Sequence, residues 1–431
     1  MTGALARGDW RPLNVVDVDL TSEVAALDGL EDYAGVMALV WSGGTPIGYA
    51  RIPVKGGGCS ARQIRSSIRA QLGRPLAKAS LCHRLGAGIA SERDYTRDFD
   101  VTEEVRAGNE PLPSMTVVIC TRDRPQALDR CLGHIRRLRY PALDVVVVDN
   151  APPNDTVRRL VQEKYPDFRY IREPQQGLGR ARNAALDHSR GEIVAFTDDD
   201  CAPDPSWAES IGRVFADDQQ TMAVTGLVVP FELETPAQIL FEQSGGFGRG
   251  FEHRRWQLRA REANHLGAGR FGTGANMAFR RSVFLSIGDF DVALGAGTPT
   301  EGGEDLDMFF RVLEEGYALV YEPRAVVRHV HRRDLEGLQR QLEGHGTGLY
   351  AYFVRSALMY PNRRVQLLRL SLRWLWSRHV RRLLGSFIGR RAFPRELVWA
   401  ELRGSLRGLT AYPRARRAGG MRELPARPGV A

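Results

Sequence analysis

The sequence lacks several features that would define a class of protein at once. Its five cysteines form no CxxC pair, which argues against a disulfide scaffold or a zinc ribbon and fits a reducing compartment. No window of about 18 residues is apolar and uncharged, so we expect no membrane-spanning helix. The N-terminus has no apolar segment of the kind found in signal peptides. These absences predict a cytoplasmic protein.

An excess of positive charge is missing from most of the chain, although the net charge is +9. Residues 355–431 contain 18 arginines, three glutamates, no lysine and no aspartate, so they carry +15 and the rest carries −6. Nucleic-acid-binding domains are usually basic, so we expect no nucleic-acid partner. The basic tail favours an anionic surface such as a membrane leaflet, which would place the protein peripherally on the cytosolic face.

The chain has 431 residues, of which 43% are hydrophobic, enough for two or three folded domains. Residues 1–112 predict a small accessory α+β domain, with a hairpin around Ser42-Gly43-Gly44 and a helix over 61–72. We find no motif with chemistry in this part. Residues 113–335 alternate strands and helices, and residues 336–431 predict a basic helical region.

The alternation in the middle part predicts an α/β fold whose mostly parallel sheet is flanked by helices. Ligands bind beyond the carboxyl ends of such strands. The residues that follow the predicted strands are therefore candidates for a site: Thr121, Arg122, Asp123, Asp149, Asn150, Asp198, Asp199 and Asp200.

Asp198, Asp199 and Asp200 follow directly on the apolar strand EIVAF. Carboxylates this close raise one another's pKa, and a bound divalent cation would relieve the repulsion. Asp198 and Asp200 could both reach one Mg²⁺ or Mn²⁺ ion. The alternative is an acidic loop that caps the helix starting near Ser206.

A second acidic cluster, Glu304, Asp305 and Asp307, opens a predicted helix after a glycine-rich loop. Carboxylates at a helix N-terminus have a structural explanation in the helix dipole. They could also supply a general base on a rigid helix start, with the loop closing over a substrate. Further along, His329 and His331 alternate at the end of a strand-like run, where one could bind the same metal.

In this order, the motifs resemble the inverting glycosyltransferases of family 2, which have the Rossmann-like GT-A fold. They cover about 220 residues, roughly half the chain, and run VVICTRDRP, VVVVDN, GLGRARNAAL, VAFTDDD, GTGANMAFRR, GDFD, GGEDLDMFFR and RHVHR. The glycine-rich segment GTGANMAFRR is predicted to lead directly into a helix. The resemblance implies a nucleotide-sugar donor, an Mg²⁺ or Mn²⁺ ion on a DxD-type motif, and an acceptor hydroxyl on a glycan or a lipid-linked molecule.

The resemblance also implies roles for single residues. Asp305 matches the catalytic base, and Asp149 matches the aspartate that accepts a hydrogen bond from the nucleobase. Asp198 and Asp200 match the DxD, the first toward ribose or metal and the second on the metal. Thr121, Arg122 and Arg182 match residues beside the nucleotide, with Arg180 a weaker match than Arg182. His329 matches a metal-binding histidine, and His331 is the rival assignment.

Two other functions stay open. A sugar-1-phosphate nucleotidyltransferase would also be α/β and metal-dependent, but it should carry a glycine-rich loop after its first strand, where TRDRP has none. A non-catalytic protein could bind a membrane or nucleic acid through the tail alone. The QxxRW motif and membrane helices of processive family members are absent from the sequence, which argues against a polymer synthase.

The segment 365–388 predicts a basic amphipathic helix of the kind that lies in a membrane interface. Val365, Leu368 and Leu372 fall on one side, while Arg369, Arg373 and Arg381 fall on another. The alternative is that the helix packs on the catalytic domain with its arginine face in solvent.

Overall fold

The structure is a computed structural model that describes residues 10–84, 110–258, 264–383 and 393–419. The first nine residues and the end of the predicted 365–388 helix lie outside these ranges. So does the start of the segment 106–114, whose Gly108, Pro111 and Pro113 predict a linker. The strands are β1 (Leu13–Asp19), β2 (Gly35–Ser42), β3 (Thr45–Pro53), β4 (Met115–Thr121), β5 (Leu143–Asn150), β6 (Arg169–Glu173), β7 (Ile193–Asp198), β8 (Cys201–Pro203), β9 (Thr221–Pro230), β10 (Arg254–Gln257), β11 (Asn276–Arg280) and β12 (Ala318–His329).

The α-helices follow the expected alternation in the middle of the chain. They are α1 (Ala61–Arg84), α2 (Pro125–Ile135), α3 (Thr156–Lys164), α4 (Leu178–His188), α5 (Trp207–Asp217), α6 (Pro236–Ser244), α7 (Val283–Ile287), α8 (Glu304–Glu314), α9 (Leu335–Met359), α10 (Arg364–Trp374) and α11 (Arg395–Ala418). A π-helical segment, Leu375–Val380, continues α10. Helix α1 runs beyond the predicted end and bends at Leu72, three residues before Pro75.

The first sheet contains the predicted hairpin. β2 and β3 are antiparallel and joined at Gly43 and Gly44, whose φ angles of 58° and 76° suit the tight turns that glycine permits. β1 pairs parallel to β2 on the other side. Ile64 and Ile68 of α1 are buried in the apolar cluster that this sheet forms. The apolar face of the helix and the apolar face of the sheet therefore pack into one core.

The central sheet has the strand order β10-β12-β9-β11-β7-β4-β5-β6, and β8 pairs with β12. Helices cover both faces with separate apolar clusters, which confirms the predicted α/β class. Among the described strands, four pairings are parallel and four antiparallel. The uninterrupted parallel part is β7-β4-β5-β6.

The antiparallel strand β11 was missing from the sequence prediction. The segment GTGANMAFRR was expected to lead straight into a helix, but Asn276–Arg280 pairs antiparallel with both β7 and β9. Helix α7 begins only at Val283. The strand follows a glycine-rich loop rather than a crossover helix, and parallel strands require such a crossover.

The first sheet packs against the part of the central sheet that contains β9 and β12. Leu39 and Trp41 of β2 share an apolar cluster with Leu227 and Tyr321. A second contact joins Leu13 and Met37 to Leu233 and Ile239. The division at residues 112 and 335 stays a prediction, because these contacts describe packing rather than independent folding.

The C-terminal helices α9 and α11 pack closely through glycines. A side chain at Gly404 would place its Cβ 1.9 Å from the Glu343 carbonyl oxygen, and one at Gly346 would place it 2.3 Å from that of Glu401. Gly348 touches the start of α8, since a Cβ on Gly303 would lie 2.5 Å from its carbonyl oxygen. Helix α9 therefore supports the segment that carries Asp305. None of the helices in the described ranges is long and apolar enough to cross a membrane.

Candidate active site

The carboxyl ends of three parallel strands bring the candidate residues together. In the register of the sheet, Thr121 of β4 pairs with Asp149 of β5, and Cys120 of β4 pairs with Asp198 of β7. Apolar residues of these strands are buried on both faces, so the polar residues begin where the core ends. The edge predicted from the strand pattern is the edge where these side chains cluster.

The acidic turn after β7 is held by one arginine that the sequence argument overlooked. Arg124 donates to Asp199 Oδ1 at 2.5 Å and to Asp200 Oδ2 at 2.8 Å. Thr121 donates its hydroxyl to Asp199 Oδ2 at 2.7 Å. Arg124 thus offsets part of the repulsion among the aspartates, a role that the sequence argument gave to a cation alone. The sequence feature that could have identified Arg124 is its position in the loop TRDRP, directly after β4.

The alternative interpretation of the acidic turn, as a cap for the next helix, is wrong. Helix α5 begins at Trp207, and its first turn is organised by Asp204. Asp204 Oδ1 accepts hydrogen bonds from the Ser206 backbone N–H at 3.0 Å and from the Ser206 hydroxyl at 2.7 Å. The three consecutive aspartates are left to other partners.

His329 lies beside Asp200 because of the short strand β8. Directly after the acidic turn, Cys201–Pro203 pairs antiparallel with the end of β12, and Cys201 stands opposite His329. His329 Nε2 lies 3.3 Å from Asp200 Oδ1. Asp200, Cys201 and His329 are all buried, and their ligand atoms lie within 4.8 Å of one another, close enough to hold a metal ion.

The protonation states of this group suit a divalent cation. Burial lowers the pKa of His329 to about 4, so its ring is neutral at neutral pH. Burial opposes ionisation of Asp200, but His329 and Arg124 outweigh it and lower the pKa of Asp200 to about 2. Burial raises the pKa of Cys201 well above its usual value, so the thiol stays protonated. Asp200 and His329 are thus the two fitting donors.

Asp198 belongs to a different set of contacts. Its Oδ1 lies 3.7 Å from Arg182 Nη2, and Arg182 also donates to Glu304 Oε1 at 2.8 Å. Asp198 keeps 37% of its side chain exposed, so a ligand can reach it. The pKa of Asp198 is raised to about 6, because burial and the charges of Asp200 and Asp305 together outweigh the opposing charge of Arg182. The two acidic clusters of the sequence therefore converge.

Asp305 lies in the first turn of α8, beside the loop residue Gly274 that also contacts Arg182. Its Oδ2 accepts a hydrogen bond from the Gly274 backbone N–H at 2.8 Å, and its Oδ1 accepts one from Leu306 N–H, also at 2.8 Å. Gly303 precedes the helix with φ 94°, a conformation that favours glycine. The glycine-rich loop between β9 and β11 thus meets the acidic helix start, and the carboxylate is fixed from both sides.

Asp149 is buried at the end of β5 with one oxygen unused. Tyr170 donates its hydroxyl to Asp149 Oδ2 at 2.9 Å, while Oδ1 has no hydrogen-bond partner among the described residues. Burial raises the pKa of this carboxyl group. An unpaired buried acceptor is costly, so the geometry leaves an acceptor for a ligand N–H.

Not every candidate residue joins these contacts. Arg122 is exposed on the loop after β4, and Arg180 lies partly exposed on α4, whereas Arg182 is buried. His331 does not contact Asp200 directly, since it lies behind His329, with the two Nδ1 atoms 3.1 Å apart. The glycine-rich loop before α8 is tied down by hydrogen bonds, among them Gln176 Nε2 to the Gly297 carbonyl at 3.0 Å.

Asp307 stabilises the fold rather than the site, although Glu304 and Asp305 in the same helical turn belong to the site. It is 0% exposed, and its carboxylate forms ion pairs with Arg355 Nη1 at 2.6 Å and Arg311 Nε at 2.9 Å. Removing one partner of such a buried group leaves uncompensated charge. We expect Asp307→Ala to lower the free energy of unfolding by about 3–5 kcal/mol. Urea denaturation measures it, and a loss below about 1 kcal/mol would contradict the assignment.

The comparisons with known proteins match this part of the chain. The family model described as glycosyl transferase family 2 covers residues 116–288. The pre-mycofactocin glycosyltransferase of Mycobacterium tuberculosis is 28% identical over 299 residues, which are 68% of this chain and 55% of that protein. The glucosyl-dolichyl phosphate glucuronosyltransferase of Haloferax volcanii is 24% identical over 227 residues, which are 50% of this chain and 68% of that protein.

Among solved structures, a mannosyltransferase of Pyrobaculum calidifontis in complex with GDP-Man and Mn²⁺ aligns with a TM-score of 0.42 and 19% identity. The alignment covers 82% of this chain and 85% of that one. The chain spans little more than half the length of the Mycobacterium relative.

Proposed function

We propose that this chain, whose residues 116–288 form a glycosyl transferase family 2 domain, moves a sugar from a nucleotide-sugar donor to an acceptor hydroxyl with inversion. The observation that carries the proposal is that Arg182 and Gly274 connect Asp198 to Asp305 at the strand ends. Asp198 stands two residues before Asp200 and its neighbour His329. Glycosyl transfer needs a group that takes the hydroxyl proton and a site that stabilises the leaving diphosphate. The two acidic clusters could supply both.

In this proposal Asp305 is the general base. Its carboxylate is held by two backbone N–H groups, and each oxygen retains a lone pair for the proton of the acceptor hydroxyl. The hydroxyl would attack the anomeric carbon from the face opposite the diphosphate, so one displacement inverts the configuration. No covalent intermediate is required.

Asp200 and His329 would hold an Mg²⁺ or Mn²⁺ ion, since an ionised carboxylate and a neutral imidazole are ligands that such ions accept. When bound, the ion would act as a Lewis acid toward the diphosphate. Asp198, which the sequence also assigned to the ion, lies outside the group of Asp200, Cys201 and His329. We keep it on the ribose side or as a further ligand.

The nucleoside would lie along the ends of β4 and β5. Asp149 Oδ1 offers its unused acceptor to an N–H of the base. Thr121, the last residue of β4, pairs with Asp149 and donates its hydroxyl to Asp199, and Arg122 begins the loop that follows. Arg182 anchors both acidic clusters through Glu304 and Asp198. Its positive charge would then offset part of the negative charge of the two clusters.

The deciding experiment is a thermal-shift screen of nucleotide sugars with Mn²⁺ present, followed by product analysis. A ligand that binds the native state raises its melting temperature. Release of free nucleoside diphosphate supports glycosyl transfer. Release of pyrophosphate from a nucleoside triphosphate and a sugar 1-phosphate, supplied in a parallel assay, would instead establish the sugar-1-phosphate nucleotidyltransferase. No stabilisation by any nucleotide sugar would count against both.

We further propose that α10 and its π-helical extension attach the enzyme to an anionic membrane surface, where the acceptor could be lipid-linked. Four apolar residues spaced three or four positions apart are exposed on this helix: Val365 (60%), Leu368 (60%), Leu372 (56%) and Trp376 (60%). The stripe itself does not pack on the catalytic domain. The helix does contact that domain through Leu367, with Arg369 and Arg373 in solvent, as the alternative from the sequence predicts. Arg369 and Arg373 are exposed directly beside the stripe, as in helices that lie in membrane interfaces.

Vesicle co-sedimentation tests the attachment. We expect strong binding to anionic vesicles, weak binding to neutral ones, and release by salt, because each basic residue near an anionic leaflet contributes roughly 1 kcal/mol. Replacing Arg369, Arg373 and Arg381 together with glutamine should release the protein without unfolding it. Arg378→Gln is a poor control, because Arg378 bonds Glu401 and the Ser244 carbonyl. Intact protein that stays in the supernatant with anionic vesicles at low salt would disprove the attachment.

A further inference from the structure

His329 is the first of three groups that continue away from Asp200 in a line. Its Nδ1 lies 3.1 Å from His331 Nδ1, and His331 Nε2 lies 2.8 Å from Glu242 Oε1. Both histidines are buried, whereas Glu242 on α6 is partly exposed. The contacts thus connect the proposed metal ligand to a carboxylate 89 residues away from His331 in the chain.

The far carboxylate determines which ring nitrogens carry hydrogen. An ionised Glu242 can only accept, so His331 Nε2 must carry a hydrogen. In a neutral His331, Nδ1 then has a lone pair, and the facing Nδ1 of His329 must donate to it. His329 Nε2 is therefore the nitrogen with the free lone pair, and it is the nitrogen that faces Asp200 at 3.3 Å. Only this tautomer offers a metal ligand at that position.

The surroundings hold both rings in place. The Phe247 ring packs edge-on against His329 with ring centroids 4.9 Å apart, and the Phe241 ring packs against His331 at 4.7 Å. Gly246, with φ 49°, leaves room for Glu242, since a Cβ there would lie 2.6 Å from Glu242 Oε1. Helix α6 and the turn that ends it thus fix the carboxylate against His331.

We propose that Glu242 and His331 are positioning residues that fix the tautomer of His329 and so set the affinity of the site for a divalent cation. The inference rests on the proposed metal site at Asp200 and His329. Neither residue would touch substrate or metal. Carboxylates that orient metal-binding histidines in this way typically change metal affinity 10–100-fold when removed.

The test is the Mn²⁺ dissociation constant of the full chain, measured by electron paramagnetic resonance without any substrate. We expect Glu242→Ala and His331→Ala to bind Mn²⁺ about 10–100-fold more weakly than the unaltered protein. Glu242→Gln keeps an acceptor oxygen for His331 and should recover most of the affinity. Gln243→Ala changes the exposed neighbour on the same helix and serves as the matched control.

A second measurement separates positioning from a general loss of structure. In ¹⁵N-histidine spectra, His329 should carry its hydrogen on Nδ1 in the unaltered protein and lose that preference in Glu242→Ala. Folded Glu242→Ala and His331→Ala variants with unchanged Mn²⁺ affinity would overturn the inference and leave the metal site intact. If the unaltered protein binds no Mn²⁺, the metal site itself is overturned, and the inference with it.

Discussion

Asp200→Ala is expected to abolish metal-dependent turnover while the protein remains folded. Asp200 is buried, ionised and 3.3 Å from the neutral imidazole of His329, so its removal takes away the charged member of the pair proposed to hold the cation. Loss of one group that stabilises developing charge typically costs about 10²–10³-fold in rate. We expect a loss of at least this size, and a comparable loss when EDTA strips the metal from the unaltered enzyme.

The measurement is initial rate of nucleoside diphosphate release against Mn²⁺ concentration, with the melting temperature recorded in parallel. Asp204→Asn is the matched control, because this aspartate stands four residues further along and bonds Ser206 instead of the site. It should lower stability slightly and leave the rate unchanged. Full turnover by a preparation shown to be free of metal would refute the metal requirement.

The positions of the strand-end residues could be predicted because their cause is local. Apolar runs such as VVIC and VVVV end in polar residues, and parallel strands present their carboxyl ends at one edge. Thr121 accordingly pairs with Asp149, and Asp198 pairs with Cys120, the residue before Thr121. The start of α8 was predictable for the same reason, since acidic residues before an apolar period of 3.6 mark a helix N-terminus.

The partners of these residues could not be predicted, because they depend on contacts between distant segments. The antiparallel pairing of β8 with β12 selects His329 over His331 as the neighbour of Asp200. No local pattern encodes that register. The role of Arg124 was hidden for another reason: the acidic turn was analysed for repulsion without counting nearby arginines. Glu242 lies on a helix that carried no recognisable motif.

The C-terminal region illustrates how a correct pattern left the packing undecided. The helical period of residues 365–376 was visible in the sequence, but the same stripe could have faced the core or the solvent. The structure leaves the stripe exposed because other residues make the attachment: Leu367 is buried on the opposite side of α10, and His379 is buried in the π-helical segment. Close packing of α9 on α11 then requires glycines that the sequence analysis had not singled out.

Asp305→Asn is expected to preserve donor binding and to lower transfer by about 10²–10⁴-fold, the usual contribution of a general base. An amide cannot take up the proton of the acceptor hydroxyl. Because Asp305 accepts from both Gly274 and Leu306, an asparagine satisfies only one of these N–H groups, so a modest fall in melting temperature should accompany the loss. The expected pattern is a fall in kcat with little change in the dissociation constant of the donor.

Asp307→Asn is the control for this experiment, since it alters a carboxylate two residues away that is enclosed by Arg311 and Arg355. It should lower stability, and its folded fraction should still transfer sugar. The two variants thus separate a chemical role from a structural one on the same helix. Near-normal transfer by folded Asp305→Asn would show that the base lies elsewhere. Glu304 would then be the next candidate, because burial raises its pKa to about 7 although Arg182 opposes the shift. Asp307 is no candidate, because it is fully buried between Arg311 and Arg355.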